Sequence, residues 1–122
     1  VRRHPSDPAQ RLGRRGERVA ARALRRAGYR ILAKNVRTPR GEVDLLAEDG
    51  PVLALVEVKS TGTGRLLTPE HRLRQAQRRR LVDASRWLAR RPGLSGRVLR
   101  RDLVTVAFGP GGTEVRIFRG RF

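Results

Sequence analysis

The chain has 122 residues, which suffices for one domain with a single modest hydrophobic core. It contains no cysteine, which excludes disulfide frameworks and thiolate zinc sites, and no apolar run long enough to span a membrane. Twenty-nine lysines and arginines against eleven acidic residues give a net charge of +18, which is typical of proteins that bind polyanions such as phosphate backbones.

The predicted elements begin with a flexible arm over residues 1–7, which is followed by a helix over residues 8–28. Through the helix, apolar residues recur at three- and four-residue spacings from Leu12 to Ala27, while the other face is mostly arginine. Gly28 is a typical helix stop. The pattern predicts an amphipathic helix with one face against the core.

Five strands and a second helix follow. The strands are predicted over residues 29–36, 42–48, 52–59, 101–108 and 114–118, and the helix, preceded by a mobile loop over 61–67, runs from Thr68-Pro69-Glu70 to about residue 91. A short connection over 49–51 predicts that the second and third strands form a hairpin. The order α-β-β-β-α-β-β favours one α/β domain over residues 8–122, with a mixed sheet flanked by helices.

The charged residues are distributed unevenly by type. Only Lys34 and Lys59 are lysine, which leaves 27 arginines. High genomic GC content could produce this bias without functional meaning, but lysine and arginine differ in size, hydration and proton chemistry, so a lysine here is a candidate for a specific role. Five of the acids lie within sixteen residues: Glu42, Asp44, Glu48, Asp49 and Glu57. An acidic pocket in a basic protein is a candidate cation site.

Asp44 and Glu57 are the candidate metal ligands. Folding the predicted hairpin brings residue 44 opposite residue 56 or 57, so the two carboxylates become neighbours across the ladder. Such an oxygen-rich pair favours Mg²⁺ or Mn²⁺, with waters, a substrate phosphate and a main-chain carbonyl, for which Val58 is the candidate, completing the shell. A bound metal would polarise the scissile phosphate and lower the pKa of a water.

Lys59 is the third candidate catalytic residue. Strand side chains alternate, so Lys59 is expected on the same face as Glu57. There it would supply a compact positive charge near the attacking water or a phosphate oxygen, which the longer, planar guanidinium of arginine would replace poorly. The alternative is that these charges form only a solvent-exposed cross-strand salt bridge.

The segment GEVDLL at residues 41–46, followed by VEVK at residues 56–59, resembles the PD-(D/E)XK nuclease signature. More narrowly, the chain is similar to the YraN family of uncharacterised bacterial proteins, a restriction-endonuclease-like group related to Holliday-junction resolvases. The resemblance covers about residues 12–122 and includes Gly16-Glu17 in the first helix and Asn35 in the first strand. It implies a restriction-endonuclease-like, nuclease-like domain and a metal-dependent phosphodiesterase ancestry, without a substrate.

Three residues outside the core motif are candidates for the site. The resemblance to junction resolvases implies that Glu17 completes the metal site, although a surface ion pair with Arg14 explains it equally well. Gln77 lies on the apolar stripe of the second helix, where a polar side chain requires a hydrogen-bond partner that the active site could supply. The family usually has lysine near this position, so Gln77 departs from its pattern. Glu42 is a candidate accessory residue that precedes Asp44 on the same strand face.

The arginines are candidate phosphate contacts as a group. They are Arg14, Arg15, Arg18 and Arg22 on the first helix, and Arg78, Arg79 and Arg80 on the second. We therefore expect a metal-dependent endonuclease-like protein that acts on nucleic acid, with structured or single-stranded DNA favoured over RNA and the choice between them left open, and with no membrane partner. No secretory signal is visible, so a cytoplasmic location is expected. A non-catalytic nucleic-acid binder with the same fold, a small basic RNA-associated protein and a homodimer remain open.

Overall fold

The computed structural model describes residues 8–62 and 75–120, and within these two stretches a five-stranded sheet lies between two helices. The elements are α1 (Pro8–Arg26), β1 (Arg30–Thr38), β2 (Gly41–Asp49), β3 (Val52–Thr61), α2 (Gln75–Ala89), β4 (Val98–Gly109) and β5 (Gly112–Phe118). This order confirms the predicted α-β-β-β-α-β-β order, with β4 beginning three residues earlier than expected. The predicted arm over residues 1–7, most of the loop over 61–67 and the helix start at 68–70 lie outside the described residues.

The strands lie in the sheet in chain order, β1-β2-β3-β4-β5. Neighbouring strands are antiparallel except for β3 and β4, which are parallel and pair Glu57 with Leu103. The connection between these two parallel strands contains α2, because a parallel pair needs a long crossover. The sheet is therefore mixed, as the sequence predicted.

Each helix covers one face of the sheet with its own hydrophobic core. The α1 core brings Leu24 against Val56 and Val104, and all three are fully buried. The α2 core brings Leu88 against Leu55 on the opposite face. Because side chains in β3 alternate between the two cores, that strand is apolar on both faces over Leu53–Val56, as expected of a central strand. Within the described residues, neither helix is long and apolar enough to cross a membrane.

A buried carboxylate on β4 forms hydrogen bonds with residues that are far apart in the chain. Asp102 is fully buried and accepts hydrogen bonds from Tyr29 Oη at 2.7 Å, Arg100 Nε at 2.8 Å and the Gly120 backbone N–H at 2.8 Å. Arg100 also donates to Asp49 Oδ2 at 2.7 Å. Burial and the hydrogen bond to Asp102 raise the pKa of Tyr29 to about 12. This cluster joins the end of α1 and the β2–β3 hairpin to the segment after β5.

Candidate active site

Asp44 lies where the ladder between β2 and β3 ends. The last pair is Leu45 with Val56, and one residue further the backbones no longer pair. The Val58 backbone N–H instead donates a hydrogen bond to Asp44 Oδ2 at 2.8 Å. The carboxylate of Asp44 therefore occupies the gap between the two strands, with one oxygen fixed by the backbone of the strand that carries Glu57.

The strand changes its facing at Asp44. Val43 packs in the α2 core and Leu45 in the α1 core, although residues two apart in a regular strand share a face. On the neighbouring strand, the residue opposite Asp44 is Asn35, which has a positive φ of 51°. The regular alternation assumed from the sequence is therefore interrupted at the rung that carries Asp44.

Glu57 and Lys59 share a face of β3, as predicted. Lys59 Nζ lies 3.2 Å from Glu57 Oε1, and their side chains are only 24% and 16% exposed. This ion pair lies within one strand and is largely shielded from water, unlike the solvent-exposed cross-strand pair considered as the alternative. A shielded ion pair is held more firmly than a surface pair, because solvent screens it less.

Asp44 and Glu57 line the same cavity, of about 230 Å³. This carboxylate cavity is lined, among the described residues, by Gly41, Glu42, Asp44, Glu57, Arg80 and Leu81. Burial, followed by the negative charges of Glu57 and Glu17, raises the pKa of Asp44 to about 8, against the opposing effects of the Val58 N–H and Lys59. The negative charge of Glu57 is thus close enough to disfavour the ionisation of Asp44.

Glu17 reaches the same region from α1. Burial and the charge of Glu42 raise its pKa above the ordinary value, while a hydrogen bond from the Asn35 side chain acts in the opposite direction. Its approach depends on Gly16, which is buried against Ser60 of β3. Within residues 8–62 and 75–120, no three acidic or histidine side chains stand close enough to hold one metal ion together. Asp44 and Glu57 thus remain the candidate carboxylate ligands.

Two of the candidate phosphate contacts border the carboxylates. Arg80 of α2 lines the carboxylate cavity, and Arg14 of α1 lines an adjoining α1 groove. The α1 groove is lined, among the described residues, by Gln10, Gly13, Arg14, Glu17, Asn35, Arg37 and Glu42. The cavity and the groove share Glu42 in their linings, so they adjoin at this residue.

The remaining described candidate arginines are not among the residues that line the carboxylate cavity or the α1 groove. The Arg15 guanidinium stacks over the Phe108 ring at 4.2 Å, on the opposite side of α1 from Glu17. The other described candidates are exposed on their helices: Arg18, Arg22 and Arg79. The side chains of Gln77 and Arg78 lie outside the described residues.

Sequence reasoning did not assign a role to Asn35 or Gly16. In the sequence, Asn35 and Gly16 stand out only through the resemblance to the YraN family. The available signals were an asparagine inside a strand pattern and a glycine inside a helix pattern, since both residues are unfavourable there without a local reason. The structure supplies those reasons in the positive φ of Asn35 and the close approach of Gly16 to β3.

A family model described as "Uncharacterised protein family UPF0102" matches residues 16–106, about three quarters of the chain. The chain belongs to the UPF0102 family. It is 44% identical over 117 residues to a UPF0102 protein of Anaeromyxobacter dehalogenans, covering 95% of this chain and 87% of the relative. A UPF0102 protein of Symbiobacterium thermophilum is 42% identical over 104 residues, covering 85% and 88%. One from Chelativorans is 48% identical over 99 residues, covering 80% and 78%.

Membership in UPF0102 confirms the resemblance to the YraN family drawn from the motifs. The matched stretch begins at Gly16 and takes in Glu17, Asp44, Glu57 and Lys59. UPF0102 is described as uncharacterised, so it contributes no activity, and the function has to be argued from the site.

Proposed function

We propose that this protein is a divalent-metal-dependent endonuclease-like enzyme that hydrolyses phosphodiester bonds in nucleic acid, with structured or single-stranded DNA as its substrate. The observation that carries the proposal is the shared, shielded cavity of Asp44 and Glu57 with Lys59 alongside. A buried carboxylate with a raised pKa, such as Asp44, beside a lysine in a cleft is typical of catalytic sites.

The donors in the cavity suit a hard divalent cation. Asp44 and Glu57 supply carboxylate oxygens, and the Val58 carbonyl lies on the strand between Glu57 and Lys59. Mg²⁺ and Mn²⁺ prefer oxygen ligands and usually keep several waters. The raised pKa of Asp44 shows that the cavity favours a proton on this carboxylate, and a bound cation would relieve the same repulsion. When bound, the metal would supply the positive charge that activates water and polarises a phosphate.

The chain's own side chains would orient the reaction. The hydrogen bond from Val58 fixes one oxygen of Asp44, and the ion pair with Lys59 fixes one oxygen of Glu57. Lys59 also places a positive charge beside the carboxylates, where it would stabilise negative charge that develops on a phosphate oxygen. Glu17 borders the cavity from α1 and would contact a water or a sugar-phosphate group entering along the α1 groove.

Nucleic acid is the substrate class that the charge supports. The net charge of +18 attracts polyanions in general, and Arg14 and Arg80 place two of these charges in the α1 groove and in the adjoining carboxylate cavity. Phosphate contacts of this kind position a backbone without reading its sequence. We therefore expect cleavage that depends on the structure of the substrate more than on its base sequence.

The decisive experiment compares wild type with Asp44→Asn and Glu57→Gln on a panel of duplex, single-stranded and branched DNA and RNA with Mg²⁺ or Mn²⁺. Glu114→Gln is the matched control, because Glu114 is an exposed carboxylate on β5 whose partner is Arg116. Calorimetric titration with Mn²⁺ accompanies the assay. We expect cleavage and a Mn²⁺ site in wild type and Glu114→Gln, and the loss of both in the two cavity variants.

Two outcomes would contradict the proposal. Equal Mn²⁺ binding by wild type and Asp44→Asn would mean that the cavity is not the metal site. Wild type that binds DNA with a steep salt dependence but cleaves nothing in the panel would identify a non-catalytic nucleic-acid binder with this fold.

A further inference from the structure

Asn35 has an unusual backbone conformation for a residue inside a strand. Its φ is 51°, and it is the one non-glycine residue with a positive φ among those the structure describes. Strand residues normally have strongly negative φ, and asparagine is among the few non-glycine residues that enter the left-handed region readily. The conformation therefore suits the residue type and interrupts β1 at Asn35, separately from the register shift between Ile31 and Ala33.

The interruption in β1 is matched by the one in β2. Ala33 and Val36 both pack in the α2 core although they are three residues apart, so β1 changes its facing between them. Lys34 pairs with Leu45 and Val36 with Val43, which places Asn35 opposite Asp44. Both strands thus lose their regular alternation at the same rung. The interruption at this rung coincides with the end of the β2–β3 pairing at Asp44, whose carboxylate accepts a hydrogen bond from the Val58 N–H.

The side chain of Asn35 acts on a second carboxylate. It donates a hydrogen bond to Glu17 and lines the α1 groove with it. An amide donor suits this place, because it holds a carboxylate without adding charge and without competing for a metal as strongly as another acid would. Asn35 is therefore related to both carboxylates. Its backbone in β1 lies opposite Asp44, and its side-chain amide donates a hydrogen bond to Glu17.

We propose that Asn35 is a positioning residue of the carboxylate site, whose left-handed backbone turns Asp44 into the gap beside Val58 and whose amide holds Glu17 toward the cavity. Its effect on metal affinity and cleavage rests on the proposed function, whereas its effect on the position of Asp44 and Glu17 does not. Groups that orient metal ligands typically change affinity or activity by about ten- to a hundredfold when they are removed.

Three substitutions separate the two roles. Asn35→Gly keeps access to the left-handed backbone and removes the amide, Asn35→Ala removes both, and Asn35→Asp keeps the backbone but replaces a donor with a charge that repels Glu17. Arg30→Ala is the matched control, because Arg30 is an exposed residue at the start of β1, outside the interrupted rung.

The first readout is nuclear magnetic resonance of the metal-free protein, which does not depend on activity. The Val58 amide proton reports the hydrogen bond to Asp44, and the Asn35 side-chain amide protons, compared with and without Glu17→Ala, report the bond to Glu17. We expect the Val58 amide to exchange at least about tenfold faster in Asn35→Ala and to stay protected in Asn35→Gly. An unchanged Val58 amide in a folded Asn35→Ala would overturn the backbone role.

The second readout is Mn²⁺ affinity by calorimetry, with cleavage measured beside it. We expect Asn35→Gly and Asn35→Asp to lose about ten- to a hundredfold in both, with Arg30→Ala unchanged. The amide role would be overturned if Asn35→Gly and Asn35→Asp kept wild-type Mn²⁺ affinity and cleavage, or if the Asn35 amide protons did not respond to Glu17→Ala.

If wild type neither binds Mn²⁺ nor cleaves, the proposed function fails, while the resonances of Val58 and Asn35 still decide the positioning role. If Asn35→Ala does not fold, a Val58 amide unprotected in Asn35→Gly would overturn the backbone role instead.

Discussion

Gly16 on α1 lies directly against Ser60 on β3. A methyl group at Gly16 would overlap the Ser60 hydroxyl and stand 2.9 Å from its Cβ, a separation that packed carbons do not tolerate. The Ser60 hydroxyl oxygen is buried and has no hydrogen-bond partner within the described part of the chain. This contact sets how closely α1 approaches the sheet, and thereby where Glu17, the next residue, enters the site.

Gly16→Ala should destabilise the fold by about 1–3 kcal/mol, because the added methyl group overpacks the contact between α1 and β3. Gly13→Ala is the matched control in the same helix, since nothing lies within 4 Å of the position its Cβ would take. It should stabilise the protein by about 0.5–1 kcal/mol through helix propensity. Urea denaturation measures both, and Ser60→Gly should recover part of the loss in a double-mutant cycle. Gly16→Ala and Gly13→Ala of equal stability would show that the contact is not limiting.

Asp44→Asn should stabilise the metal-free protein at neutral and alkaline pH. The folded-state pKa of about 8 lies above the ordinary value of 3.8, so the protonated carboxyl stabilises the fold fully below about pH 4, and this stability is lost as pH rises through 8. Asparagine cannot ionise and can still accept the bond from Val58. The gain should approach about 5 kcal/mol at pH 8 and vanish near pH 4, because the folded-state pKa lies about four units above the ordinary value and each unit is worth about 1.4 kcal/mol. Urea denaturation from pH 4 to 9 with a chelator measures the difference in stability between the two proteins. A gain that does not change with pH would contradict the claim that ionisation of buried Asp44 destabilises the fold.

Lys59→Arg should keep nucleic-acid affinity and lose cleavage. The longer planar guanidinium cannot take the position of a lysine whose side chain is three quarters shielded and 3.2 Å from Glu57. Loss of one well-placed electrostatic group costs about two to three powers of ten in rate. One charge among 29 basic residues contributes little to overall attraction, so binding should hardly change in Lys59→Arg or Lys59→Ala. Gel-shift affinity and single-turnover cleavage with Mn²⁺ are measured on one substrate, and wild-type cleavage by Lys59→Arg would remove Lys59 from the mechanism.

Asp102→Asn should destabilise the protein by about 2–4 kcal/mol without altering Mn²⁺ binding. The fully buried carboxylate accepts bonds from Tyr29, Arg100 and Gly120, and an amide in its place turns one acceptor into a donor that faces other donors. Tyr29→Phe removes one of these bonds and should cost about 1 kcal/mol. Thermal and urea denaturation measure the loss, and a near-neutral Asp102→Asn would mean that water replaces the bonds.

Much of the fold could be predicted because it depends on local patterns. The helical spacing of apolar residues in α1 buries one face of that helix, and the continuous apolar run in β3 buries both faces of that strand. The short connection after Asp49 leaves little choice but a hairpin. The alternation of side chains along β3 brought Glu57 and Lys59 to one face, and the hairpin brought Asp44 beside them. These predictions need only the periodicity of side chains and the length of one turn.

The sequence by itself therefore determined the order of elements and the association of Asp44, Glu57 and Lys59. Only the tertiary structure decided the contacts around them. Asn35 interrupts β1 opposite Asp44, and Gly16 brings α1 against Ser60. Elsewhere, Asp102 accepts hydrogen bonds from Tyr29 and Arg100. The reason is physical. Periodicity fixes which face a residue takes, whereas a left-handed residue, an overlap of two atoms or a buried hydrogen bond depends on atoms contributed by residues far apart in the chain.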